Sequence, residues 1–213
     1  MRLSTKLGLT ALAAALLLSV AVSAASARNL SVSNQNIRVA WSRLEFQSRD
    51  RSITVRCRIT LEGSFHARTI AKVARTLIGA LTRIAMHRES CTGGQALPSR
   101  PPPWHLTYEG FTGTLPAISS VRLLMARFQF DIIAVGNRCF FGTATDNITF
   151  SAALNAAGEV TSLAPVSGRN TANLLEGPGG GEFFGCPSSG VLVGTEGVVT
   201  VLNSTTRIRV TLI

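Results

Sequence analysis

Histidine is scarce in this chain. His66, His87 and His105 are the only three in 213 residues. None sits in H-E-x-x-H or another metal-ligand spacing, so no metal site is assigned. Acidic residues are nearly as sparse, 11 against 21 Lys and Arg. Glycosidase chemistry needs two carboxylates held several ångströms apart, and nothing local pairs any two of these acids. Glu62 and Glu109, both expected on outward strand faces, are the pair to inspect first. No G-x-S-x-G elbow occurs: GCPSSG (185–190) has the wrong spacing. GPGGGEFFG (177–185) lacks the Lys-Ser/Thr of a phosphate loop. No two cysteines stand in C-x-x-C spacing, which removes the usual zinc and thioredoxin-like signatures. Catalytic, cofactor and metal residues are therefore left unassigned, and the reading leans away from an enzyme.

Long apolar runs are also missing. The longest, Leu7–Val22, has 16 residues, short of the roughly 20 that span a bilayer. It follows basic Arg2 and Lys6 and precedes VSAASA, with small residues at Ala25 and Ala27. That order is the pattern of a secretory signal peptide, with cleavage expected after Ala27. An uncleaved N-terminal anchor is the alternative. The expected mature chain, 213 − 27 = 186 residues, suits one domain, 28–213. No transmembrane segment is expected in it. Export then points to a place outside the cytoplasm, secreted or at the cell envelope.

Lysine is nearly absent from that mature part: Lys72 stands alone against 18 arginines. The skew reads as coding bias in a bacterial, GC-rich genome. The charge is uneven. Residues 28–138 carry 16 Arg or Lys against 6 acids, and residues 139–213 carry 3 against 5. A basic surface attracts polyanions. An anionic envelope polymer is the candidate partner, and export removes nucleic acid from consideration. The sequons at Asn29, Asn147 and Asn203 are read as chance matches in a bacterial protein.

What the sequence has in quantity is strand signal. SITVRCRITLEG (52–63) sets Ile53, Val55, Cys57, Ile59 and Leu61 on one face and Thr54, Arg56, Arg58, Thr60 and Glu62 on the other. A period of two with polar residues outward describes a half-buried antiparallel strand. NIRVAWSRLEF (36–46) and WHLTYEGF (104–111) alternate likewise. PPP before Trp104 belongs at a strand start, since proline cannot donate to a ladder. Strands are also expected across 119–135, 138–145 and 147–155, with a closing hairpin of 191–203 and 205–213 about Asn203-Ser204. Residues 91–103 read as turns, and 169–190 as the loosest part. The one helical candidate is 66–90, where Ile70, Val73, Leu77, Leu81 and Ile84 form a stripe. Gly79 interrupts it, so a helix ending near Ile78 followed by a strand is the competing form.

The class is mainly β: an antiparallel sandwich or barrel-like domain with one candidate helix, stapled by disulfides. An outer-membrane barrel is disfavoured, because the apolar segments are few and irregular. Cys57, Cys91, Cys139 and Cys186 allow three pairings. The sequence-nearest one, Cys57–Cys91 with Cys139–Cys186, is preferred. Loops of that size stabilise by about 4 kcal/mol each in the chain-entropy description.

ITLEGSFH (59–66), CTGG (91–94), PWHLTYEGFTGTLP (103–116) and TTRIRVTLI (205–213) together resemble a group of small exported actinobacterial proteins of uncharacterised function. The resemblance implies export and a β-rich domain. It carries no activity or site residues.

Three functional expectations follow. The first is a non-catalytic binding or structural domain outside the cytoplasm. The second is a carrier of hydrophobic ligands, its mouth lined by Phe128, Phe130, Phe140 and Phe141. The third is a hydrolase with a surface site at His66, His105 and Glu109. Intact mass tests the frame. The secreted protein should lack residues 1–27 and be four hydrogens lighter than its reduced form; alkylation without reductant would contradict the disulfides.

Overall fold

The computed structural model describes residues 29–134, 136–142, 147–166, 174–176 and 186–213. Two of the long segments expected to alternate do so and pair. β2 (Asn36–Ser48) and β3 (Thr54–Phe65) form antiparallel neighbours, with Val39, Trp41, Leu44 and Phe46 of one and Val55, Cys57, Ile59 and Leu61 of the other buried. Their arginines lie on the opposite face. The same logic sets β7 (Trp104–Thr114) with Trp104, Leu106 and Tyr108 inward. The preceding prolines do lead directly into a strand.

The described residues hold 16 strands and no helix. The others are β1 (Asn29–Val32), β4 (Thr69–Ala71), β5 (Leu77–Thr92), β6 (Gln95–Pro98), β8 (Ala117–Ala126), β9 (Phe130–Ala134), β10 (Asn137–Phe141), β11 (Asn147–Leu154), β12 (Val160–Pro165), β13 (Leu174–Glu176), β14 (Ser189–Gly194), β15 (Val198–Val201) and β16 (Val210–Leu212). The large sheet runs β12-β11-β8-β7-β5-β3-β2-β14-β13, with β15 also on β2. It curls until β12 meets the segment entering β15: Leu163 of β12 bridges Gly197 through two backbone hydrogen bonds of 2.8 and 2.9 Å. A nearly closed antiparallel barrel results. Closure removes the exposed sheet edges that invite aggregation. The barrel buries an apolar interior and turns arginines of β2 and β3 outward, the reverse of the polarity of an outer-membrane barrel.

Two small sheets cover the ends. At one end, β6-β9-β10 brings Phe128, Phe130 and Phe141 against Phe46 and Trp104, with ring centroids 4.4 to 5.5 Å apart. At the other, β16-β1-β4 supplies Leu30, Val32, Ile70 and Val210. β1 and β6 were not anticipated, being too short to show a period.

The helix expected over 66–90 does not form. The segment is β4, a turn and the long β5. Its stripe is divided: Ile70 and Leu81 are buried, while Val73 and Leu77 are 62% and 45% exposed. The cause is tertiary. β5 lies between β3 and β7, and a Cβ at Gly79 would meet the Ser64 carbonyl oxygen at 2.5 Å. Glycine is there for a close strand approach, and long-range ladders outweigh a modest helical preference. The closing hairpin also differs. Asn203 does turn the chain, at φ 59°, but β15 pairs with β2 and β16 with β1. The 119–135 stretch breaks at Arg127, φ 66°, so β9 can leave the barrel for the cap sheet. Residues 143–146, at the end of the strand expected over 138–145, and most of 169–190 lie outside the described residues.

Both disulfides take the sequence-nearest pairing. Cys57–Cys91 clamps an irregularity in β5: Arg56 faces Thr92 while Arg58 faces His87. Cys139–Cys186 ties the outer strand of the aromatic cap to the chain entering β14.

Two tryptophans at the core separate packing from hydrogen bonding. Trp41 donates from Nε1 to the Leu163 carbonyl at 3.1 Å, whereas Trp104 Nε1 is buried with no acceptor among the described residues. Trp41→Phe should therefore cost about 1 kcal/mol more than Trp104→Phe in denaturant midpoint analysis; equal losses would refute the seam bond. Between β2 and β3, Asp50 accepts hydrogen bonds from Ser48 Oγ at 2.6 Å and from Ser52 Oγ and N at 2.8 and 3.1 Å. The Ser48 hydroxyl, then Ser52, hold its carboxyl below the usual carboxylate range. A depressed pKa contributes stability above the unfolded value near 4, and that contribution is lost as pH falls through the lower folded value. Asp50→Asn should flatten the stability curve below about pH 4 and leave its shape near neutrality unchanged.

Candidate functional site

The barrel interior is the first place to look for a ligand. It is filled by side chains. Among the described residues, an apolar cavity of about 40 Å³ lies under the β16-β1-β4 cap, lined by Ile37, Phe65, Tyr108, Ala152 and Leu163. Pockets for drug-sized ligands run to roughly 300–1,000 Å³. Burial pushes the Tyr108 phenol up, with Arg122 opposing, which keeps it neutral. The phenylalanines expected to line a mouth do something else. Phe128, Phe130 and Phe141 are core residues of the aromatic plug, and only Phe140 is exposed. Alternation alone could not distinguish a lined mouth from a stopper, because both need inward aromatics.

The expected surface site is not brought together. His105 lies on the outer side of β7, opposite Ala80 and Ala126. His66 is exposed just past β3, its backbone N–H bonded to the Ile78 carbonyl. β5 intervenes, a separation of two strand spacings, roughly 10 Å. Glu109 is the extra residue of a β7 bulge between Tyr108 and Gly110, and its Oε2 is buried with no hydrogen-bond partner among the described residues. No hydrogen bond or ion pair joins the three. Glu62 and Glu109 likewise sit on strands separated by β5, and Glu62 is held by Arg38 and Arg83, at 3.7 and 3.2 Å. No group of three or more metal-ligating side chains occurs among the described residues.

A different feature appears on the outer wall of β2, β3 and β5. Register places Val198, Ala40, Thr60 and Ala85 in one row across four strands. Val198, Ala40 and Thr60 floor a trough, and Ala85 continues the row beyond it. Arg38 stands on one side and Arg58 and His87 on the other, with Glu196 at the end; Glu62 and Arg83 extend the Arg38 row past the depression. The depression has a volume of about 450 Å³. Its charges are largely satisfied: Arg58 Nη2 lies 3.2 Å from His87 Nδ1 and 3.8 Å from Glu89, and Glu62 bridges Arg38 and Arg83. The trough therefore offers fixed donors and acceptors without a strong net charge. The alternation of 36–46 and 52–63 predicts the outward arginines. Their registration into walls around a small-residue floor needs the strand pairing.

No protein-family model, curated protein or solved structure matches the chain.

Glu62 is the restraint on the trough's basic wall. Glu62→Gln should free Arg38 and Arg83, shift elution from a heparin column to higher salt, and cost under about 1 kcal/mol of stability, as for exposed pairs. Unchanged elution would show that the two arginines stay immobilised without it.

Proposed function

We propose that this protein is an exported, non-catalytic binding domain that works from its outer wall, at or outside the cell envelope. The observation that carries the reading is the filled barrel: an interior with about 40 Å³ to spare, plugged by aromatics at one end and covered by a sheet at the other, leaves the exterior as the surface for recognition. The leader-like N-terminus supports export. Two disulfides fit an oxidising compartment.

The trough is the ligand-facing site of this proposal. A shallow floor of Ala40, Thr60 and Val198 between walls of guanidinium, imidazole and carboxylate suits an extended polar polymer of the envelope. The anionic or hydroxyl groups of such a polymer would meet the paired charges, and the small floor would admit its backbone. Ala40→Trp should fill the floor without removing any ion pair. Co-sedimentation with purified cell-wall material is expected to fall at least tenfold in that variant. Equal binding by the variant would overturn the trough as the site. A lipid extracted in stoichiometric amount from the purified protein would overturn the exterior reading in favour of a hydrophobic carrier.

A further inference from the structure

The end of the barrel covered by β16-β1-β4 combines two features that nothing above uses. It gathers exposed apolar side chains: Val73 in the β4–β5 connection, Leu77 at the start of β5, Leu115 at the tip of the β7–β8 hairpin, and the terminal Ile213 at 55% exposure. These are four of the six large exposed apolar residues among those described. The β-ladder draws them to one end. Ile213 exchanges backbone hydrogen bonds with Asn29, which faces Ala71, two residues before Val73. Leu212 lines the same depression as Pro116, the residue after Leu115. The second feature is charge. Arg68, Lys72 and Arg75 lie within five residues of Val73 along the chain, and none has an acidic partner among the described residues, unlike the arginines of the trough. Lys72 Nζ lies 5.8 Å over the Phe111 ring, leaving its ammonium beside an aromatic face.

We infer that this end of the barrel docks on an anionic lipid surface. Basic groups alone would fit any polyanion. The exposed Val73, Leu77, Leu115 and Ile213 favour a lipid surface, because its acyl boundary can take in apolar side chains while the headgroups meet the cations. The inference is independent of the trough, which opens on the barrel wall.

Flotation of the disulfide-intact protein with phosphatidylglycerol/phosphatidylcholine vesicles, and with pure phosphatidylcholine, tests it. Binding is expected to the anionic vesicles alone and to weaken at high salt. Each Lys or Arg near such a surface contributes about fivefold in partitioning. Arg68→Gln, Lys72→Gln and Arg75→Asn together should therefore lower it about a hundredfold; asparagine suits the left-handed backbone at residue 75, φ 67°. Val73→Ser with Leu77→Ser should lower it at least about tenfold at unchanged charge. All five positions lie in the β4–β5 region and are not core packing residues, and near-ultraviolet circular dichroism verifies that both variants keep the native fold. Ala40→Trp should bind vesicles as the parent does, so loss of wall binding and loss of vesicle binding remain distinguishable. The inference fails if the parent does not float with anionic vesicles, or if either variant floats as well as the parent. It also fails if the protein is retained by polyphosphate beads but not by vesicles, which would mark a polymer site.

Discussion

The seam between β12 and the β14–β15 segment is the constraint on which the rest depends. A sheet that begins at β12 and continues to β2 has two edges until Leu163 and Gly197 exchange backbone hydrogen bonds. Trp41 sits behind that exchange. Its indole donates to the same Leu163 carbonyl, and its ring fills the space where a Cβ on Gly197 would lie, 2.5 Å away. One buried tryptophan thus fixes both the closure and the identity of the residue that closes it. With the seam shut, inward residues of every barrel strand face one interior, and outward residues become a continuous polar wall.

Closure also determines what the ends must do. An open barrel end exposes apolar side chains, and here two three-stranded sheets cover them. The aromatic cap is held by more than packing. Asp131, buried on β9, accepts from Ser99 Oγ at 2.8 Å and from Arg138 Nε at 2.8 Å, joining the loop after β6, β9 and β10. Cys139–Cys186 then anchors the cap to the barrel wall. The opposite cap has no disulfide and is built from strands of three or four residues. The two ends differ accordingly: one is an aromatic plug, the other a short sheet rimmed by unpaired cations and exposed aliphatic residues.

The placement of functional surface follows from this asymmetry. Arginines on β2 and β3 become trough walls because they fall opposite Glu62, His87 and Glu45 on their neighbours. Those in the β4–β5 connection find no such acid, because the chain there is leaving one strand for another. The same residue type is therefore neutralised on the wall and available at the rim. His66, His105 and Glu109 looked like a constellation in sequence, since each sits near a strand end on an outward position. The strand order separates them, because β5 runs between β3 and β7.

Much of the β character was legible beforehand. Period-two alternation in 37–41, 52–63 and 104–108 determined which residues face inward, since a strand with one buried face has no other register that keeps its apolar set covered; an irregularity after Trp41 then brings Leu44 and Phe46 inward out of phase. An even number of cysteines at wide spacing determined that they would pair in a chain expected to be exported. The short strands β1 and β6 carry too few residues to show a period, and β5 carried a helical stripe that its two neighbours overrode. Strand order, the seam, the caps and the assembly of trough and rim came from tertiary structure alone. The physical reason is that alternation specifies a face but not a partner. Which polar side chains meet across a ladder depends on pairings between residues as far apart as Trp41 and Leu163, and those are set only when the sheet closes.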